Sequence, residues 1–433
     1  MIRHTSFMAN ISLVFLIIST FLGNAIFNLS STFFIFIFLY EIIKNKDYKF
    51  FNQTWLKLIS IFFIIILFSS FFSDHKVNIF YKNLFFFRFF LIALCVQYCL
   101  SKYKNAQLFL NTIVFTTLFI SIDALVQYYF GTNLFGNKTY SEDISRLRLT
   151  GIFGDEEIVG SYLIKFIFLG TIGTFLISKE NKIITYLYFF IIAITILLSQ
   201  ERMTFILLSF SIFILLIFFL SQKKIFEFLL ILLVSLLIVL FAYNFDKSLK
   251  ARYLSIFTNS SGLAKVKLDN EKKLTNLVES IYDVTKVEIS FKDSMWGAHY
   301  FTAIEIFKSN FIIGSGPRSF RYECSNKRYE NLDIHYVNKR CSTHPHNYFL
   351  EILSEIGLLG FCYIVILLGI FYFKQFKFFL KNKNYAHVFG LLTIFVNLWP
   401  IASTGSIYAT FNGLIIWITI GYILSFSEKL DIS

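Results

Sequence analysis

Residues 182–224 read KIITYLYFFIIAITILLSQERMTFILLSFSIFILLIFFLSQKK. Two apolar runs, 183–199 and 203–220, are parted only by a short polar turn. Each is close to the length that carries a helix across the hydrocarbon core of a bilayer, about 17–25 residues. Lysines mark the outer ends, Lys179 and Lys182 before the first run and Lys223 and Lys224 after the second, while the turn between them is SQER. The stretch is thus two membrane helices back to back, and it fixes how the rest of the chain is read.

Apolar segments of the same kind fall at about 8–22, 26–43, 55–72, 79–100, 106–130, 156–178, 225–243, 346–373, 385–401 and 405–426. With the opening pair they make about 12 spans. Composition agrees: 56% of the residues are hydrophobic and 58 are Phe, more than a water-soluble core would hold. The expected fold is an all-α polytopic membrane protein. Its expected organisation is nine transmembrane helices over 1–243, a large loop over 244–345 and three more helices over 346–433. The first run follows a basic start at Arg3 and has no small-residue cleavage site after it, so it reads as a retained helix rather than a signal peptide.

Loop charge alternates. Lys44, Lys46 and Lys49, Lys102 and Lys104, Lys179 and Lys182, Lys223 and Lys224, the run Lys374 to Lys383, and Lys429 lie on one side. Opposite them, the short loops GNAIFN, SDHKVN, SQER and PIASTG are nearly free of cations. The positive-inside rule then predicts both termini in the cytoplasm. This distribution, rather than an affinity for nucleic acid, accounts for the net charge of +13.

Two loops on the external side are long, 131–155 and 244–345. In the second, Lys and Arg exceed Asp and Glu by about five, an excess the positive-inside rule does not govern in long loops. It is either a solvated surface or one that receives polyanions such as lipid pyrophosphates. Part of this loop is expected to be helical, through the amphipathic HYFTAIEIFKSNFIIGSGPRSF. Cys95, Cys99 and Cys362 lie in spans and read as small apolar fillers. Cys324 and Cys341 lie in the large loop, on the oxidising side, where a disulfide is expected and two free thiols are the alternative. Cys341, His344 and His346 are close in sequence, but their spacing fits no zinc pattern, so no metal is expected.

The segment CSTHPHNYFLEILSEIGLLG, 341–360, places two histidines around Pro345 at the mouth of a span, with Asn347 as a helix cap. A helix starting near His346 would carry Gly357 and Gly360 beneath the imidazole, a smooth face for close packing against a helix or lipid chain. Imidazole is the side chain suited to take a proton from a hydroxyl near neutral pH. Arg148, Arg202, Arg318 and Arg321 lie at membrane boundaries on the same predicted side; Arg can grip two phosphate oxygens together. Arg202 could instead pair with Glu201, and Arg321 could be simply solvated. The acidic run Asp155 to Glu157 reads as helix capping.

HPHNYFLEILSEIGLLG resembles the signature of the O-antigen ligase and O-antigen polymerase superfamily of bacterial inner membranes, in which a His, ten residues and a Gly follow a large periplasmic loop. GSGPRSF, RLTGIFGDEEIVGSYL and SQERMTF resemble further segments of that family. The chain departs from it at Asp155–Glu157, where many members have Asn, and before GSGP, where Lys292 and His299 are the nearest candidates for a family Arg. The resemblance implies a GT-C-class glycosyltransferase of the inner membrane that moves a glycan from undecaprenyl pyrophosphate to an acceptor hydroxyl. The acceptor would be lipid A-core or another lipid-linked glycan, and neither cofactor nor metal would be needed. It implies His346 as base and Arg148, Arg202 and Arg318 on the pyrophosphate, with His344 and Arg321 second in these roles. A lipid-glycan flippase or transporter is the rival; its ionisable groups would sit near the bilayer midplane rather than at one boundary.

Overall fold

The computed structural model describes residues 2–138, 148–245, 294–334 and 336–427. Arg146, Lys292, His335 and the first part of the large loop lie outside the described residues. Fifteen helices are described: α1 (Ile2–Ile18), α2 (Asn24–Lys44), α3 (Thr54–Phe72), α4 (Lys76–Leu84), α5 (Arg88–Tyr103), α6 (Ala106–Phe130), α7 (Val159–Ile177), α8 (Lys182–Leu198), α9 (Arg202–Ser221), α10 (Ile225–Phe245), α11 (Met295–Ser309), α12 (Phe320–Glu323), α13 (Tyr348–Asn382), α14 (Tyr385–Asn397) and α15 (Thr410–Ser427). Among the described residues there is no strand, only an isolated bridge between Thr132 and Lys138. The chain is an all-α multi-pass membrane protein. Every apolar run of the sequence coincides with a helix. Among the described residues, seven stretches are long and apolar enough to cross a membrane, counting α4 and α5 as one; α1, α8, α10, α14 and α15 provide shorter apolar segments.

The bundle is held by its aromatic and branched side chains. α5 packs along α15, α7 lies between α6 and α8 with α14 across it, and α3 runs beside α13. Phe34, Phe38, Phe89, Phe109 and Phe168 are buried between helices. Phe36, Ile64 and Ile183 stay exposed on outer faces, as side chains turned to lipid do.

One end of the bundle is built from short turns with lysine at the critical position. Lys46, Lys104, Lys179, Lys223 and Lys383 all adopt a left-handed φ, between 48° and 56°. After α9 the amide of Lys224 donates to Phe219 O at 2.9 Å and that of Lys223 to Leu220 O at 3.0 Å. The same pattern closes α2, through Asp47 and Lys46, and α7, through Glu180 and Lys179. This is the two-bond closure that usually employs glycine. Lysine accepts the strain here because an ammonium favours the negative end of a helix dipole and can extend towards water.

The other end carries the long connections, and there α13 is broken. Gly357 has φ 72° and ψ −170°, a conformation that favours glycine. A helix interrupted at membrane depth must find new partners for its backbone groups. The segment 311–316 supplies them. The amides of Leu358 and Leu359 donate to the carbonyls of Phe311 and Ile312 at 2.8 and 3.1 Å. In return, Ser315 N and Gly316 N donate to the carbonyls of Ser354 and Glu355 at 3.0 and 2.8 Å. From α3, Ser69 Oγ donates to Ile313 O at 2.6 Å and Ser73 Oγ to Ser315 O at 2.5 Å.

The expected smooth helix face beneath His346 is therefore not formed. His346 precedes the helix, and the rotation counted from it does not continue through Gly357. Gly357 does mark a close approach, but to backbone: a Cβ there would collide with Ile312 O and Gly314 N. A Cβ at Gly360 would meet chiefly Ile356, on its own helix.

Candidate functional site

The start of α13 is fixed before any side chain of the site is placed. Asn347 caps it, its side-chain oxygen accepting from Leu350 N at 3.0 Å. The amide group of the same side chain donates to Pro400 O at 2.6 Å and Ala402 O at 3.2 Å, drawing in the loop between α14 and α15. Thr404 N donates to His346 O at 2.9 Å. His346 is thereby locked at φ 59°, a strained conformation for a non-glycine residue that persists only where its surroundings impose it.

Three imidazoles meet at this point. The His346 ring centroid lies 4.2 Å from that of His344 and 5.1 Å from that of His299 on α11, with Trp296 edge-on at 4.7 Å. His299 Nδ1 donates to Arg340 O at 3.1 Å, which leaves its Nε2 unprotonated in the neutral ring. His344 Nε2 donates to Thr404 O at 3.2 Å, so its Nδ1, 2.8 Å from Thr343 Oγ1, is the acceptor. His346 Nε2 lies 3.1 Å from Ser342 Oγ. In the sequence His299 stands out only as a candidate for the family Arg before GSGP; its contact with His346 depends on how α11 docks, which no local pattern reports.

The Cys324–Cys341 disulfide, with Cα atoms 5.3 Å apart, organises these contacts. It sits between Arg340, whose carbonyl receives His299, and Ser342, the partner of His346. Arg340 Nε also donates to Cys324 O at 2.9 Å. Nearby, Glu323 of α12 lies 3.0 Å from His75 Nε2, tying this region to the turn between α3 and α4.

Burial sets the protonation of the cluster. His346 is held down to about 3, first by burial and then by His344 and His299. His344 is lowered by burial, against the bond to Thr404 O, and by Arg321 and His299. His299 is lowered by burial, against its bond to Arg340 O. All three rings are therefore neutral at pH 7. A neutral imidazole can receive a proton, but a ring held this low is a weak base until something stabilises its cation. An anion brought alongside would do so.

The four arginines occupy different settings. Arg321 lines a cavity of about 840 Å³, together with Thr343 and His344. Arg318 turns inward: φ is 67°, its guanidinium donates to Tyr408 O at 2.8 Å, and its amide donates to Glu355 at 2.6 Å. Arg148 pairs with Glu157 at 3.0 Å where both are about one-third exposed, a setting in which an ion pair contributes about 0–1 kcal/mol. Arg202 opens α9, whose Met203, Thr204 and Leu207 form part of the cavity wall. Glu201, considered as its partner, points instead at the start of α7, accepting from Gly160 N at 2.6 Å and Ser161 N at 3.0 Å. Burial raises Glu201 to about 6, opposed by the bonds from Ser161 and Gly160 and by the charge of Arg148.

Glu351 and Glu355 are both buried and clamp loops rather than face the cavity. Glu355 accepts from Arg318 N and from Phe320 N, the latter at 2.9 Å. Glu351 accepts from Ser406 Oγ at 2.5 Å and Ile407 N at 2.8 Å. Each carboxyl group receives two hydrogen bonds. The cavity walls are thus fastened to the first turns of α13.

Among residues lining the cavity, Glu156 comes from the acidic run after the Gly-aromatic turn, and Lys165 and Asn412 from α7 and α15. Lys165 and Asn412 were missed in the sequence reading. The one available signal was a single lysine inside the apolar run 156–178.

A comparison with curated proteins gave no match. A family model described as O-antigen ligase matches residues 187–365, from α8 through the broken region of α13. The matched stretch includes SQER, the GSGPRSF turn, the disulfide and the histidine cluster. It suggests an O-antigen ligase-like or polymerase-like function, with a lipid-linked glycan as substrate. Over these residues the chain is thus similar to the O-antigen ligase family.

Proposed function

We propose that the protein is a metal-independent, inverting glycosyltransferase that moves a glycan from undecaprenyl pyrophosphate to an acceptor hydroxyl of lipid A-core. In this reading the large loop is periplasmic, both termini are cytoplasmic and the membrane is the bacterial inner membrane. The observation that carries it is that His344 lines the 840 Å³ cavity together with Arg321 and packs against His346 behind it. Attack by an acceptor hydroxyl on the anomeric carbon forms the new glycosidic bond and breaks the bond to pyrophosphate. The hydroxyl proton passes to the imidazole of His346, and undecaprenyl pyrophosphate leaves with the bonding electrons. Two demands follow: a group to take the proton and cations to hold the leaving charge.

The low proton affinity of His346 suits this sequence of events. The ring is neutral and ready before the donor arrives, and the negative charge of the pyrophosphate then raises its affinity as the proton is transferred. Arg321, which lines the cavity, is the cation proposed to meet the donor, and Arg202, next to the cavity-lining Met203, is proposed to assist it. Arg148 is paired with Glu157, and Arg318 is turned to the carbonyl of Tyr408, so both are given secondary roles.

The test is reconstitution with undecaprenyl-pyrophosphate glycan, offering lipid A-core and a second lipid-linked repeat separately. Transfer to core is expected. Elongation of the lipid-linked glycan alone would identify a polymerase using the same chemistry, and transfer to neither would end the enzyme reading. His346→Ala should lower transfer by roughly a hundredfold or more with the protein still folded; full activity in that variant would remove His346 as the base.

A further inference from the structure

Lys165 is the seventh residue of α7, about 9 Å along the axis from Val159 at 1.5 Å per residue. It therefore lies below the level at which Glu201 caps that helix. Its ammonium donates to Asn412 Oδ1 at 2.5 Å and lies 4.6 Å from the centroid of the Phe411 ring. Neither contact carries a neutralising charge. Among the described residues no carboxylate lies within ion-pair distance of it. Asn412 is itself committed, donating to Ser406 O at 3.3 Å.

A cation held at this depth by neutral groups is costly. Lys165 is nevertheless open to the 840 Å³ cavity, on the same wall as Ser161 and Thr204 and remote in sequence from Arg321 and His344. The cavity thus has a second cationic point inside the bundle; Glu201 acts on it through space, while its carboxyl oxygens are engaged by Gly160 and Ser161.

We propose that Lys165 is an anion-binding residue of the cavity and receives the phosphate esterified to the lipid end of the donor. This rests on the donor being a lipid-linked pyrophosphate. Such an amphiphile enters with its lipid side towards the membrane interior and its glycan outward, so the phosphate nearest the lipid is the group that reaches the deeper cation. Arg321 then faces the glycan side of the same pyrophosphate. A sugar carboxylate would remain at the outer level. Asn412 orients the ammonium without quenching its charge.

The experiment measures undecaprenyl pyrophosphate binding to the full-length protein in nanodiscs by ligand-induced thermal shift, for wild type, Lys165→Met and Lys165→Arg. Lys165→Met should weaken binding roughly tenfold to a hundredfold, the worth of one hydrogen bond to a charged group. Lys165→Arg should largely restore it. Without ligand, Lys165→Met should melt at or above the wild-type temperature, because an uncompensated cation has been removed; a purely structural lysine would lower it. Equal binding by wild type and Lys165→Met overturns the proposal while leaving the donor reading intact. An absence of binding to wild type instead defeats the donor reading. An equal Lys165-dependent shift with phosphatidylglycerol would assign the site to a bilayer headgroup and overturn the proposal. Should Lys165→Met not fold, acylation of wild-type Lys165 by a small amine reagent, read by mass spectrometry, decides the matter. Protection by undecaprenyl pyrophosphate is expected, and undiminished labelling overturns the proposal.

Discussion

Lys223 and His346 have nearly the same backbone φ, 56° and 59°, at opposite ends of the bundle, and the cause differs. At Lys223 the strain is local: a helix ends, its last carbonyls are satisfied within the same turn, and the side chain points outward. At His346 the strain is imposed from a distance, by Thr404 on the following loop and by the Asn347 cap. One end of the molecule is a set of helix closures, each completed within its own turn and joined to its neighbours through side chains such as Lys102–Asp47 and Lys182–Glu227. The other is a single fastened assembly, in which α3, α11, α13 and the loop before α15 hold one another through backbone atoms. Chemistry requiring several groups in fixed relation belongs at the second end.

This contrast can be broken most forcefully at Gly357. Gly357→Val combines a disfavoured φ with collision against the backbone of Ile312 and Gly314, and should cost roughly 3 kcal/mol or more. Thermal unfolding in detergent would read it; a variant as stable as wild type would mean that α13 can run straight and that the fastening is dispensable.

Acid sharpens the comparison next, because three imidazoles held neutral by burial, those of His299, His344 and His346, meet at the fastened end. His346 is near 3 in the folded protein and about 6.5 when unfolded. Between those values the unfolded chain binds the extra proton, so stability is full above about pH 6.5 and declines as pH falls towards 3. His344 and His299, lowered in the same direction, add to the decline. Melting temperatures of wild type and His346→Gln from pH 7.5 to pH 4.5 should diverge, with the variant losing less. Parallel curves would show that His346 is not sequestered from protons.

The smallest effect is expected at the lysine end. Lys223→Gly relieves the left-handed strain but raises the entropy of the unfolded chain and removes a favourable charge, leaving a net change within about 0.5 kcal/mol. A loss above about 1 kcal/mol would show that this closure is tied to its surroundings after all.

The helices were legible because lipid demands long apolar runs, and the lysine turns because charge marks where those runs end. The motif around His346 was legible as a pattern. Its geometry was not. Whether α13 continues through Gly357 depends on carbonyls at Phe311 and Ile312, dozens of residues away. Arg318 and Arg321 are three positions apart and look equivalent in sequence, yet Glu355 holds the amide of the first and Tyr408 O its guanidinium, while the second lines the cavity. Lys165 was hidden for a related reason: one lysine in an apolar run has meaning only once the cavity beside it is known.

The join between residues 311–316 and α13 has a consequence for mutational tolerance. It is made by amides and carbonyls, so the side chains it carries are largely free of duty; Phe311 and Ile312 are 51% and 67% exposed. Saturation mutagenesis of this region should give an uneven profile. Phe311 and Ile312 should accept a broad range of apolar residues, whereas Gly314, Gly316 and Gly357 should accept almost none. The serines at 69 and 73, buried on a neighbouring helix and distant in sequence, should share that intolerance.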